Sequence, residues 1–237
     1  MTTASEVLTE LKTKGSEQTR KTFLNHGAPA DKVWGVKVGD MKPIAKKIKG
    51  NQAVAEELFE TGVVDAMYLA GMVANGANMK KTLLDHWAKH AGWHMISEST
   101  VPAVTCESPF ARELALKWMK SKQESVAACG WCTYSGVIAM APDEELDHAE
   151  IETLLKQVVS TIHKAPNRVR YSMNSFVISV GSYVPKLLKK SQAAAQAIGK
   201  VEVNVGNTAC KVPSATEYIA KIVAMGRVGK KRKTMKC

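Results

Sequence analysis

Residues 123–140 read QESVAACGWCTYSGVIAM, and residues 168–182 read RVRYSMNSFVISVGS. Each stretch is apolar at helical spacing and carries few charges, so each predicts a buried α-helix. The first is rich in small residues: Ala127, Ala128, Gly130, Ser135 and Gly136. Pro142 and Asp143 close it, and Pro166 and Asn167 precede the second. The two helices lie roughly 40 residues apart, a spacing that fits stacked helical pairs.

The same period runs outward in both directions. Val7, Leu8 and Leu11 give residues 5–12 one apolar face, and Ser16 caps a helix over 17–25. Asp40 is the expected cap of 41–49, with Pro43 tolerated in the first turn. Helices follow over 52–60 and 64–74, and from a cap at Asn78 to about residue 91. Gly92 begins another, Pro109 starts 110–120, and further helices cover 145–163, 184–198 and 215–225. Residues 201–205 alternate apolar and polar. They are read as a short extended segment, because a lone strand cannot form a sheet. The expected fold is all-α: HEAT-like helical repeats stacked as an α-α superhelix with a basic concave face. A plain helical bundle is the competing architecture. Residues 1–225 form one repeat domain, and residues 226–237 form a basic C-terminal tail.

The chain has 237 residues and a formal net charge of +11, with a pI of about 9.4. That excess points to a polyanionic partner, set against a basic surface that only aids solubility. No apolar run reaches the roughly 18 residues needed for a membrane span, and the first residues do not read as a signal peptide. The five cysteines, Cys106, Cys129, Cys132, Cys210 and Cys237, are odd in number and sparse. They do not suggest a disulfide framework, and a reducing cytoplasm is expected. No cofactor is implied, and a monomer is expected.

The densest charge run is GRVGKKRKTMKC at 226–237. It reads either as a solvated tail or as a phosphate-binding arm through Lys230, Lys231, Arg232 and Lys233. Arg168, Arg170, Lys189 and Lys190 are further phosphate-contact candidates, each weighed against an ordinary solvated charge. His86, His90 and His94 stand at i, i+4, i+8, but Gly92 interrupts the helix and no supporting carboxylate or cysteine is spaced for a zinc site. Cys129 and Cys132 have redox spacing without the βαβ context, which favours buried, inert thiols. The segment GWHMISESTVP, residues 92–102, sets a tryptophan, an imidazole and a carboxylate within two turns. His94 and Glu98, at i, i+4, would share a helical face. On spacing alone, a packed tryptophan and an exposed acid account for it.

This segment resembles the stretch of AlkD-like DNA alkylation repair proteins that carries tryptophans and an essential aspartate ahead of a valine-proline. Gly35 and Val36 followed by 41–48, the helix of 65–74, and the 229–233 basic run resemble other parts of the family, the last in a bacterial subgroup. The resemblance implies HEAT-like repeats, a basic cleft and hydrolytic release of cationic alkylated purines such as 3-methyladenine and 7-methylguanine. In that chemistry a carboxylate stabilises the developing oxocarbenium ion and positions water, while electron-rich rings favour the cation. Carried across residue by residue, Trp93 matches the first tryptophan, His94 stands where the second would be, and Glu98 stands for the aspartate as the candidate catalytic residue. Ser175 and Cys129 fall where the family has a further tryptophan and a cleft arginine. Trp131 and Tyr171 are nearby aromatics that could contact DNA instead.

Three readings follow. The first is an alkylpurine DNA glycosylase acting through Glu98. The second is a non-catalytic relative that binds damaged, bent or branched DNA. The third is a helical-repeat scaffold for a protein partner, since fold does not fix function.

Overall fold

The computed structural model describes residues 2–236, and those residues form α-helices and short helical turns without a strand. The chain runs through α1 (Ala4–Thr13), α2 (Glu17–Asn25), α3 (Val38–Lys47), α4 (Gln52–Glu60), α5 (Val64–Val73), α6 (Lys81–His90) and α7 (Val101–Thr105). It continues through α8 (Ala111–Trp118), α9 (Glu124–Met140), α10 (His148–Thr161), α11 (Asn167–Tyr183), α12 (Leu188–Ile198) and α13 (Ala215–Ala224). The all-α repeat architecture expected from the sequence is the one observed.

Caps set several of these boundaries. Thr3 and Glu6 form a reciprocal capping box on α1, and Ser16 and Asn51 accept the third-residue N–H of α2 and α4. Two expected caps are corrected. Lys37 precedes α3 and Asp40 lies inside its first turn, where an acid suits the helix dipole. Asn78 belongs to a one-turn 3₁₀ helix capped by Asn75, and α6 begins only at Lys81.

The helices pack in successive pairs. α4 lies on α5, α8 on α9, and α12 and α13 on α11. The second members make a continuous inner row: α5 meets the turn before α7, that turn and α7 meet α9, and α9 meets α11. Two apolar clusters fill the stack, and α9 straddles them. Val126 and Cys129 face the first cluster, while Trp131, Tyr134 and Ile138 face the second. Burying α9 on both sides requires close approach, which Gly130 permits. A Cβ there would stand 2.5 Å from the Met119 nitrogen and 2.8 Å from the Ala115 oxygen, both backbone atoms. At the other end of the row, buried Asp65 at the start of α5 accepts the Trp34 and Val36 N–H groups, each at 2.7 Å. That carboxylate satisfies a loop that has no helical ladder of its own.

Residues 199–214 form an irregular extended loop between α12 and α13, as expected for 201–205. Asn204 and Asn167 exchange hydrogen bonds at 2.7 and 2.8 Å, which ties the loop to the start of α11. At its tip the Asn207 N–H donates to the Asn25 oxygen at 3.0 Å, so the loop reaches back to α2.

Candidate nucleic-acid interface

The segment between α6 and α7 carries the site. Trp93 is 5% exposed, and its Nε1 donates to the His26 carbonyl at 3.0 Å. Phe23 lies against it with ring centroids 5.4 Å apart. The ring therefore fastens this segment to the end of α2, where sequence reasoning had set it against DNA. His94 follows on the opposite flank, its ring edge-on to Trp93 at 5.2 Å and 6.2 Å from that of His26. Burial first, then the charges of Arg168 and His26, push the His94 imidazole down to about 4, so it is neutral at pH 7.

From Ile96 to Thr100 the backbone widens into a π-helical turn, closed by the Val101 N–H donating to the Ile96 oxygen. Such turns insert one residue and re-aim the side chains they carry. Glu98 is one of those side chains. Both of its carboxylate oxygens accept from Arg168, Nε at 2.7 Å and Nη2 at 2.5 Å. The Glu98 side chain is 9% exposed and that of Arg168 is 20% exposed. Burial pushes the Glu98 carboxyl up, and the Arg168 guanidinium opposes it. Two oxygens facing two N–H donors suit the carboxylate form, which offers a charged acceptor to each donor.

Arg168 itself is fixed from three sides. It sits in the first turn of α11, its backbone N–H donates to Glu124 Oε1 at 2.5 Å, and its guanidinium carbon lies 4.6 Å from the centroid of the Tyr171 ring. Glu124 thereby caps α11 from the first residue of α9, an anion at a helix N-terminus. Glu98, Arg168, Tyr171 and His94 thus meet on the inner row, although 70 residues separate Glu98 from Arg168.

The other candidates sit elsewhere. Trp131 is 1% exposed and packs edge-on to Phe176, so it belongs to the core and offers no face to DNA. Arg170 is half-buried beneath the 199–214 loop, its Nε without a partner among the described residues. Lys190 on α12 is paired with Glu152 of α10, and Lys189 is exposed. The tail docks on the helix ends, a correction to its reading as a solvated tail: Lys231 Nζ donates to the Ile138 oxygen at 2.9 Å, while Lys230, Arg232 and Lys233 face solvent. His86 bonds Glu60 at 3.0 Å and His90 bonds the His86 carbonyl at 2.8 Å. No group of three possible metal ligands occurs among the described residues. Cys129 is buried and Cys132 half-buried, and desolvation pushes both thiols up, away from thiolate reactivity. No helix is long and apolar enough to cross a membrane among the described residues.

Helical pairs stacked in sequence, with the polar chemistry gathered on the inner row, define a repeat protein of the HEAT-like class. The chain belongs to the DNA alkylation repair family: the family described as DNA alkylation repair enzyme matches residues 7–219. An uncharacterised protein of Listeria monocytogenes is 34% identical over 226 residues, which cover 93% of this chain and 97% of the relative. A Listeria innocua protein matches to the same extent. One solved structure superposes with a TM-score of 0.91 at 37% identity, covering 100% of both chains. It is described as a new family of proteins related to the HEAT-like repeat DNA glycosylases with affinity for branched DNA structures.

Proposed function

We propose that this protein binds branched or otherwise distorted DNA and does not excise a base. The observation that carries this reading is the bidentate Glu98–Arg168 pair. A glycosylase carboxylate must be aimed at the sugar, and both Glu98 oxygens are aimed at Arg168, each accepting one of its N–H groups, within a 9% exposed side chain. The Trp93 ring is likewise committed to the His26 carbonyl. Binding needs none of this freedom. The net charge of +11 supplies a sequence-independent affinity for phosphate, and the affinity for branched DNA ascribed to the structural relative supplies the preferred shape.

The test is fluorescence anisotropy on a three-way junction and a linear duplex of the same length, over a series of salt concentrations. Tighter binding to the junction, falling with salt, is expected. Equal, weak and salt-insensitive binding to both refutes the proposal. Family membership favours a second reading, excision of 3-methyladenine or 7-methylguanine. Single-turnover release of either base from methylated duplex by the wild type, abolished in Glu98→Gln, establishes that reading instead.

A further inference from the structure

After α13 the chain reverses at Gly226, where φ is +61°, and runs back across the ends of the inner row. The Gly229 N–H donates to the Ser182 oxygen at the end of α11, and the Arg232 N–H to the Ala139 oxygen at the end of α9, both at 2.8 Å. Lys236 then reaches Glu107 at 2.8 Å and the Ala74 carbonyl beyond α5. Helix C-termini present unpaired carbonyls, and the tail supplies donors to them in turn. Gly229, at φ +79°, lies so close to Pro185 that a Cβ would stand 2.8 Å from its Cγ.

This path sorts the tail cations into two sets. Lys231 and Lys236 turn inward as anchors; Lys233 is exposed outside a groove along which Arg227, Lys230 and Arg232 are exposed. These three side chains have no hydrogen-bond or ion-pair partner among the described residues, whereas Arg112, Lys117 and Lys190 are each paired with acids. Arg227, Lys230 and Arg232 line one groove together with Ser175 and Ser179 of α11 and Tyr218 of α13, and no carboxylate lines it. Tyr218 is 46% exposed, the one exposed side chain among the phenylalanines, tryptophans and tyrosines of the described residues.

We propose that this groove holds a single DNA strand, its phosphates on Arg227, Lys230 and Arg232 and one base stacked on Tyr218. Cations alone would suit any polyanion. An exposed ring beside them suits a strand whose base faces are open, because a duplex buries those faces in its own stack. Docking the tail backbone fixes the cations before binding and lowers the ordering cost. The inference rests on the reading of the chain as a DNA-binding protein. It also gives junction preference a cause, since strands splay at a branch point.

The probe is a fluorescein-labelled oligothymidylate of about 12 nucleotides, within the span such sites cover, alongside the linear duplex. Tyr218→Ser should weaken oligothymidylate binding by about 5- to 150-fold, the range for losing one stacked base. It should leave the duplex unaffected, and Tyr218→Phe should bind as the wild type does. Changing Arg227, Lys230 and Arg232 together to Gln should make the log–log salt dependence shallower by about 2, at roughly 0.7 per phosphate contact. Unchanged oligothymidylate affinity in Tyr218→Ser, at an unchanged melting temperature, overturns the proposal. So does an equal loss on the duplex, which would make this a duplex groove. A wild type without junction preference sinks the proposed function alone, and the oligothymidylate series still decides the groove.

Discussion

Glu98→Gln separates a structural carboxylate from a catalytic one without any substrate. The variant keeps the size of the side chain and one acceptor oxygen but strips the charge that Arg168 was buried against. Breaking a buried ion pair by removing one partner costs about 3–5 kcal/mol. Arg168 is 20% exposed and keeps its stacking on Tyr171, so water and the ring recover part of this, leaving about 2–3 kcal/mol. In a chain of this size each kcal/mol lowers the melting temperature by about 2–4 °C, so a fall of about 4–12 °C is expected by circular dichroism without DNA. The double variant Glu98→Gln/Arg168→Gln should lose less than the sum of the single losses, because the groups share one interaction. An unchanged or raised melting temperature in Glu98→Gln would refute this reasoning. It would mark a carboxylate held at a cost to stability, as catalytic groups often are.

Other perturbations probe the rest of the frame. His94 titrates at about 4 when folded against 6.5 ordinarily, so between those values the unfolded chain binds the proton that the native one refuses. Its contribution is complete above about pH 6.5 and is lost as the pH falls toward 4. The full shift is worth about 3 kcal/mol, and partial exposure reduces this to roughly 1–2, so His94→Gln should flatten the acid limb of a urea-midpoint profile. Gly130→Ala drives a methyl into the α8 backbone and should cost about 1–3 kcal/mol by urea denaturation, while Ala127→Gly, which opens no clash, reports helix propensity together with the loss of one buried methyl. Lys236→Ala removes the bonds to Glu107 and Ala74, and faster hydrogen exchange at the Arg232 amide should report the loosened tail.

The frame was legible where period and punctuation agreed. Residues 123–140 and 168–182 differ from α9 and α11 by a residue at the ends, and 52–60 coincides with α4, because apolar spacing and flanking Pro or Gly gave one answer. Asn78 and Asp40 failed because a good capping residue near a helix start does not say which turn it caps. The site was half legible. Glu98 and Arg168 were each singled out, one for chemistry and one for phosphate, yet their pairing spans 70 residues and depends on how the repeats stack. The π-helical turn that aims Glu98 has no mark in its sequence. The tail misled because cation density says solvent, whereas its docking rests on backbone N–H groups meeting free carbonyls at Ser182 and Ala139. Trp131 misled because an aromatic on an inner-row helix can as readily point between helices as out of them.

The loop that brings Asn207 to Asn25 changes how the whole stack can come apart. A linear array has terminal units with one neighbour each, and these fray first. Here α2 is tied to the loop between α12 and α13, and the tail carries Lys236 back to the end of α5. Neither end can peel away while the other stays closed. The ring of contacts should convert an unzipping array into a single cooperative unit, in which loosening at α2 is felt at α13 without passing through the helices between them.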